Sequence, residues 1–276
     1  MKTTEKDYLP RKKKYEKAKR ICGKRNSYSK TDPGATFMRM KEDHWGNGQV
    51  KPADNVQIGT ENGFVAGYDL FPNPNDAKTL KPHLRRQAKR LGVKPKAVIT
   101  DAGYGSEENY AYLENRRTTA VIKYGTWRKE RSKKWQEDKF RTDNWEYNPH
   151  EKYYTCPNRK KLTLKESGKG KLRQSGYHIK IDRYECESCK YCRLKKHCSK
   201  AKGNRGIERN ERWLRLKRKA RLVLEDERYI ELRKRRSVEV ETVFGQIKGN
   251  RGTGGSCCAA WTKSPLNGDY WLWATI

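Results

Sequence analysis

Apolar and β-branched residues cluster in three short runs near the start of the chain, and these runs predict three strands. The first covers residues 35–40, the second residues 55–59 and the third residues 64–70. Glu61-Asn62-Gly63 separates the last two runs, and Asn-Gly is typical of a tight hairpin turn. We therefore expect the second and third strands to pair as a hairpin.

Helices and strands then alternate along the chain. Residues 76–92 predict a basic helix that begins near Asn75 or Asp76 and is closed by Gly92. The apolar run at residues 97–100 predicts a buried strand, and residues 118–124 predict one more. Between them, Ser106-Glu107-Glu108 opens a helix with acids in its first turn. This order predicts an α/β layer with a mixed sheet.

The net charge indicates a polyanionic partner. Lys and Arg number 65 against 33 Asp and Glu, which gives a formal net charge of +32. The excess is spread along the chain, and nucleic acid is the partner that such a charge favours. The hydrophobic fraction of 33% allows a core, but a thin one for 276 residues.

Two acids stand out by their positions. Asp101 directly follows the strand predicted at residues 97–100 and precedes Gly103 and Gly105, so it lies at the carboxyl end of that strand. Glu241 lies in a segment with apolar residues at positions 240, 243, 244 and 247, which is helical spacing. Carboxylates are the ligands that a hard divalent cation prefers.

The cysteines form a compact cluster in the second half of the chain. Cys186, Cys189, Cys192 and Cys198 are separated by two, two and five residues, and Cys156 lies upstream. Closely spaced thiolates can reach one tetrahedral ion, and they prefer Zn²⁺ over Mg²⁺. Five candidates for four places leave the ligand set open. An iron–sulfur cluster and free reduced thiols are the alternatives.

Residues 186–221 carry a dense basic charge. They contain 14 Lys or Arg against 3 Glu, a density typical of segments that contact phosphate. A solvated helix face is the alternative explanation for part of it. We interpret residues 126–205 as an insertion and residues 208–248 as helical.

The chain resembles the DDE transposases of bacterial insertion sequences, in the branch with a Cys-rich insertion before the catalytic Glu. The resemblance runs in family order over residues 1–252. Besides the cysteines, it is carried by five segments: Ser29-Lys30-Thr31-Asp32-Pro33, Phe37-Met38-Arg39-Met40-Lys41, Asn55-Val56-Gln57-Ile58-Gly59-Thr60, Asp101-Ala102-Gly103-Tyr104-Gly105-Ser106-Glu107-Glu108-Asn109-Tyr110, and Arg236-Ser237-Val238-Glu239-Val240-Glu241-Thr242-Val243-Phe244-Gly245.

The resemblance implies an RNase H-like mixed-sheet core that lacks its first strand, with a Cys-rich insertion and a basic helical C-terminal part. The expected divisions are a basic arm at 1–34, the first part of the core at 35–125, the insertion at 126–205, basic helices with the catalytic Glu at 206–252, and an aberrant tail at 253–276.

The resemblance also implies a reaction. DNA ends would be cut and joined through two Mg²⁺ or Mn²⁺ ions, with transposon ends and target DNA as partners. Asp101 would be the second acid and Glu241 the third, with Glu239 as the fallback for Glu241. The family implies a dimer on paired DNA ends, although the sequence shows no dimer signature.

Basic residues near both motifs are candidate DNA contacts. Arg236 and Lys248 fall where the family places phosphate-binding residues on the Glu helix. Lys195 and Lys196 lie beside the cysteines, which suggests that the insertion rests on DNA. The sequence shows neither a signal peptide nor an apolar run that could span a bilayer, so we expect a bacterial cytoplasmic, nucleoid-associated protein without membrane contact.

The chain departs from the family at both ends. No Asp-Gly-Thr motif supplies the first acid, so Met1 resembles an internal start. Residues 253–276 lack helical periodicity. Back-translation of residues 253–264 in a shifted frame gives YRRFLLRGLDKV, which is amphipathic and helix-like. We therefore expect a one-nucleotide deletion near codon 253, in a pseudogene fragment.

Three functions follow as expectations, of which an RNA-binding or ribosome-associated basic protein is allowed by the charge but disfavoured by the Asp101 and Glu241 motifs. The first is a transposase remnant that no longer transfers strands because the first acid is missing. The second is a non-catalytic, basic, zinc-bearing DNA-binding protein. Cleavage of DNA that depends on Mg²⁺ would distinguish the first class from the second.

Overall fold

The computed structural model describes residues 4–39 and 46–246 of the 276-residue chain. The described residues divide into two compact units. One contains the residues up to Pro95 and those from Glu231 onward, and the other is Lys96–Ile230. Lys248 and the aberrant tail at 253–276, both singled out in the sequence, lie outside the described residues.

The first unit begins with a solvent-exposed basic helix, which is followed by two antiparallel strand pairs. A π-helical turn at Thr4–Tyr8 leads into the helix, and no residue of the helix is buried. The elements of this part are α1 (Leu9–Cys22), β1 (Thr36–Arg39), β2 (Val50–Ala53), β3 (Asn55–Glu61), β4 (Phe64–Phe71) and α2 (Leu80–Leu91).

The hairpin predicted at Glu61-Asn62-Gly63 is present. β3 pairs antiparallel with β4. Asn62 and Gly63 have φ values of 51° and 84°, and this pair of left-handed residues is the geometry that Asn-Gly favours in a two-residue turn. The end of α2 at Gly92, with φ of 70°, also agrees with the sequence.

Helix α2 is held on β4 through a buried carboxylate. Asp69 on β4 accepts hydrogen bonds from His83 Nδ1 at 2.8 Å, Arg86 at 3.2 Å and Arg90 at 3.3 Å. The helix presents these three residues to the strand on one face, because they are three to four positions apart. Burial lowers the pKa of His83, and the hydrogen bond to Asp69 opposes that shift.

The second unit starts with a parallel strand pair joined by a helix. β5 (Ala97–Thr100) pairs in parallel with β6 (Thr119–Ile122), and α3 (Glu107–Asn115) connects them. Val121 and Ile122 are fully buried, and the Tyr110 hydroxyl donates to the Ile122 carbonyl at 2.6 Å. This is the strand–helix–strand order that the sequence predicts.

A five-stranded antiparallel sheet follows where the sequence indicates the insertion. Its strands lie in the order β11-β10-β9-β8-β7. Its core is largely aromatic and consists of Trp145, Tyr154, Leu162, Tyr184, Cys186 and Ile207. The strands are β7 (Tyr147–Asn148), β8 (Tyr153–Thr155), β9 (Lys161–Leu172), β10 (His178–Cys186) and β11 (Gly206–Arg209).

Two short helices precede this sheet in the chain, one lies between β10 and β11, and two long helices follow. The helices are α4 (Trp127–Glu130), α5 (Lys133–Gln136), α6 (Lys195–Cys198), α7 (Glu211–Glu225) and α8 (Glu227–Gly245). The first long helix begins at Glu211, later than the predicted start at residue 208, because Gly206–Arg209 pairs with β10 as a strand. Asn210 then caps α7, its side chain accepting from Trp213 N.

The α/β class expected from the sequence is confirmed. The strands within 4–39 and 46–246 form four sheets, and the parallel pair and the antiparallel pairs do not join into one mixed sheet. Among these residues, no helix is both long and apolar enough to cross a membrane.

Candidate catalytic acids and cysteine cluster

Asp101 lies where the sequence predicts, at the carboxyl end of the parallel strand β5. Its Oδ1 accepts a hydrogen bond from Gly103 N at 2.9 Å, and its side chain is exposed. The chain turns tightly here: a Cβ on Gly105 would collide with the Lys123 carbonyl oxygen. A side chain in this position can bind a ligand at the edge of the strand pair.

The residues after Asp101 fix the turn to the rest of the unit. Ser106 caps α3 by accepting from Asn109 N at 3.3 Å, and Asn109 in turn donates to the Tyr104 carbonyl at 2.9 Å. Glu107 is only 6% exposed. Its two oxygens accept from Tyr177 at 3.0 Å and from Asn210 at 2.6 Å.

Sequence reasoning missed this positioning role of Glu107. The sequence indicates Glu107 only as an acid in the first turn of a predicted helix. Its partners lie 70 and 103 positions away, on the β9–β10 hairpin and before α7, so no local pattern could have indicated them. The only available signal was that Glu107 lies inside the segment that resembles the transposases.

The two candidate acids of α8 have different surroundings. Glu239 pairs with Arg235 at 2.9 Å, one helical turn away, and its side chain is 20% exposed. Glu241 is exposed, and Arg236 is half-buried on the same helix. The two acids therefore differ in that Glu239 is held in an ion pair within α8, whereas Glu241 is exposed to solvent.

Asp101 and Glu241 belong to different compact units. Among the residues that the structure describes, no group of three or more His, Cys, Asp or Glu side chains is arranged so that it could hold a metal ion. Asp101 and Glu241 are both carboxylates of the type that Mg²⁺ prefers as ligands.

All five candidate cysteines of the insertion line one small cavity of about 20 Å³. The described cysteines are free. Cys186 is buried, and Cys156, Cys189 and Cys198 pack against the same aromatic core. The structure thus gathers the five cysteines in one place, although they do not converge as a metal site.

The pKa values of two cysteines indicate that burial shields their thiol groups from water. Arg205 N donates a hydrogen bond to Cys189 Sγ at 3.2 Å. Burial raises the pKa of Cys186 to about 12 and also raises the pKa of Cys198. A metal ion would therefore have to displace protons as it binds.

The basic residues proposed from the sequence differ in their surroundings. Lys196 is exposed, whereas Lys195 is half-buried and donates to the Lys202 carbonyl at 2.7 Å. On α7, much of the basic charge is paired with acids inside the unit. Arg215 and Lys219 contact Glu114, and Lys217 and Arg221 contact Glu130.

The pKa of Glu130 reflects the strength of its pairing with α7. Burial alone would raise its pKa, but hydrogen bonds from Lys217, Thr126 and Tyr124 outweigh burial and lower the pKa to about 2. Part of the charge density of residues 186–221 is therefore structural. The cations of residues 190–202 lack acidic neighbours in sequence and remain the better candidates for phosphate.

Comparison with known proteins confirms the resemblance to DDE transposases. Residues 155–256 match a family model described as a transposase DDE domain. The match covers less than half of the chain. It includes the cysteine cluster and Glu241, and Asp101 lies outside it. No curated protein and no solved structure matches the chain. The transposase DDE family implies that the partner is DNA.

Proposed function

We propose that the chain is the DNA-processing part of an insertion-sequence transposase that cuts and joins DNA by a DDE mechanism. The family match over residues 155–256 carries this proposal, because it includes the helix of Glu241. The position of Asp101 at the end of a parallel strand supports it. The RNase H-like core belongs to the same proposal.

Asp101 and Glu241 would act as the second and third acids, with Glu239 as the fallback. Bound between such carboxylates, Mg²⁺ or Mn²⁺ would supply the activation of the attacking oxygen and the stabilisation of the leaving oxygen. Carboxylate oxygens suit this chemistry. Among the described residues, no group of three or more His, Cys, Asp or Glu side chains could hold a metal ion.

The 276-residue chain by itself is proposed to be inactive in strand transfer. It contains no Asp-Gly-Thr motif, the sequence in which the family carries its first acid. When one of the acids that share the metal ions is missing, the ions lose an oxygen ligand and their coordination is incomplete. The chain is therefore expected to bind DNA without cutting it.

A binding and cleavage assay tests this function. The probes are DNA fragments from either side of the gene and an internal fragment of equal length, with and without Mg²⁺. Preferential binding to a flanking fragment without cleavage would support an inactive transposase. Cleavage that is lost in both Asp101→Asn and Glu241→Gln would support the acids and disprove inactivity.

The second candidate function is a non-catalytic, zinc-bearing DNA-binding protein. The cavity lined by five cysteines favours it. In the same assay it predicts equal binding to flanking and internal fragments, unchanged by Asp101→Asn and Glu241→Gln. Zinc would require the thiol side chains to converge further than they do. A bound zinc ion would stabilise the fold of a segment with few large aliphatic residues.

A further inference from the structure

Tyr191 is an exposed aromatic residue between Cys189 and Cys192, in the segment of residues 188–202 that we call the cysteine loop. Its side chain is 90% exposed, so it contributes nothing to the core of the sheet beneath it. Isolated apolar side chains on a surface are common. Exposure alone therefore does not indicate a function for this residue.

The backbone of Tyr191 makes the residue unusual. Its φ is 56°, in the left-handed region that Gly and Asn adopt readily and that a bulky side chain adopts at a cost. A Gly here would satisfy the turn better. Asn62, Arg117, Lys152 and Arg159 share this conformation among the described residues, and Tyr191 is the aromatic member of the set. Residues in such sparsely populated conformations cluster at binding sites.

The charges around Tyr191 indicate the kind of partner. No acidic residue occurs between Glu187 and Glu208, whereas the intervening segment is rich in cations. Lys190 Nζ lies 5.1 Å from the centroid of the Tyr191 ring. The cations of the loop are Lys190, Arg193, Lys195, Lys196, Lys200 and Lys202. This surface complements a polyanion and repels a basic protein partner, including a second copy of this chain.

We propose that Tyr191 is a nucleic-acid contact, whose ring packs on a base or sugar while the neighbouring cations neutralise phosphates. Aromatic rings contribute to such binding because every base has a π face, and cations fix the backbone beside them. This inference rests on the proposed function, since it assumes that DNA is the partner. It adds a specific contact that neither the family match nor the sequence assigns.

Substitutions of Tyr191 separate an effect on stability from an effect on DNA affinity. Tyr191→Gly removes the ring and relieves the left-handed backbone, so the melting temperature should stay the same or rise. Affinity for a fluorescein-labelled 30-base-pair duplex or the matching single strand should fall about tenfold for the preferred probe. Tyr191→Phe keeps the ring and should bind like the parent chain. Tyr191→Asn, which also tolerates this φ, replaces Tyr191→Gly if that variant does not fold.

The matched control is Phe64→Ala. Phe64 is 78% exposed, but it lies in the β3–β4 hairpin, away from the cysteine loop in sequence. Its removal should leave affinity unchanged. A larger loss on the single strand would identify stacking on an unpaired base, and a larger loss on the duplex would identify contact in a groove.

Unchanged affinity of Tyr191→Gly for both probes would overturn the inference and leave the proposed function intact. Failure of the parent chain to bind either probe would overturn the proposed function first, and the inference with it. A fall in affinity with an equal fall in melting temperature would show that Tyr191 is structural, and this too would overturn the inference.

Discussion

Arg215 donates a hydrogen bond to each oxygen of Glu114, at 2.7 and 2.6 Å. The pair joins α7 to α3, the helix that follows Asp101 in the sequence. Two parallel bonds between guanidinium and carboxylate are geometrically specific as well as favourable. A basic helix that sequence alone would assign to DNA is thus partly a structural element that anchors the strand–helix–strand unit.

Replacing Glu114 with Gln should destabilise the protein at neutral pH. The hydrogen bond from Arg215 holds the pKa of Glu114 at about 2, against the usual 4.5. Because the folded state lowers this pKa, the stabilisation is present above pH 4.5 and is lost as the pH falls toward 2. We expect about 1 kcal/mol at pH 7 for this partly exposed pair.

Urea unfolding of both proteins between pH 7 and pH 2.5 measures the effect. The difference should shrink steadily below pH 4.5. Glu137→Gln is the control, since Glu137 and Lys133 form an exposed pair at 3.8 Å that should contribute nothing measurable. A pH-independent cost of Glu114→Gln would contradict the ion-pair explanation.

The elements that were predictable from sequence are those with local signals. The Asn62-Gly63 turn, the Gly92 helix end and the strand before Asp101 each depend on residues adjacent in the chain. The five-stranded sheet was not predictable, because Trp145, Tyr154 and Tyr184 make up half of its buried core and β9 carries four Lys. The sequence also predicts helix at residues 208 and 209, but Gly206–Arg209 forms a strand because pairing with β10 overrides a weak local preference.

The residues of the candidate site also fall into two groups, those with a local signal in the sequence and those without one. Asp101 and the five cysteines were found by type and spacing, which are local. Glu107 was not found as a positioning residue, since its partners are far away in sequence. The charge of α7 was misleading for the same reason: Glu114 and Glu130, which pair with it, lie about 90 to 100 residues upstream.

Glu107→Ala should destabilise the second unit and loosen the Asp101 turn. The buried carboxylate accepts from Tyr177 and Asn210, and removing it leaves both donors without this acceptor. We expect a loss of about 2 kcal/mol. Glu108→Ala, which removes an exposed hydrogen bond from Ser175, should cost less. Amide hydrogen exchange at residues 101–106 should accelerate only in Glu107→Ala, and equal protection in both variants would refute a positioning role.

Asp54→Asn should stabilise the protein at neutral pH. Burial raises the pKa of Asp54, and the nearby Asp32 raises it further, against a lowering by Arg25. A raised carboxyl pKa means that the folded state disfavours the charged form. The cost is therefore absent well below the ordinary value of 3.8 and appears as the pH rises above it.

Thermal melts of Asp54→Asn and the parent chain at pH 7 and pH 3 check this sign. The variant should melt higher at pH 7, and the two should converge at pH 3. Asp7→Asn, which alters an exposed carboxylate in the same unit, should have no effect at either pH. A lower melting temperature for Asp54→Asn at pH 7 would show that the attraction to Arg25 outweighs burial.

The second candidate function, a zinc-bearing protein, predicts one zinc ion per chain in protein purified under reducing conditions, held among the cysteines that line the cavity. Mass spectrometry of the native protein counts the metal. Cys186→Ser should abolish it and lower the melting temperature, because the metal contributes folding free energy. Cys22→Ser, a free cysteine outside the cluster, should retain it. Visible absorption would indicate an iron–sulfur cluster, and a chelator without effect would indicate free thiols.

The contrast between paired and unpaired cations gives a salt-dependence prediction. Each phosphate contact contributes about 0.9 to the slope of log affinity against log salt. Arg193, Lys196 and Lys200 lie in the acid-free segment and are exposed. Changing all three to Gln should therefore reduce the slope by about 2 to 3. The same change at Arg128, Lys129 and Lys133, also exposed in this unit, should reduce it less. Equal reductions would show that the charge of the unit acts as a whole, without a phosphate-binding surface centred on the cysteine loop.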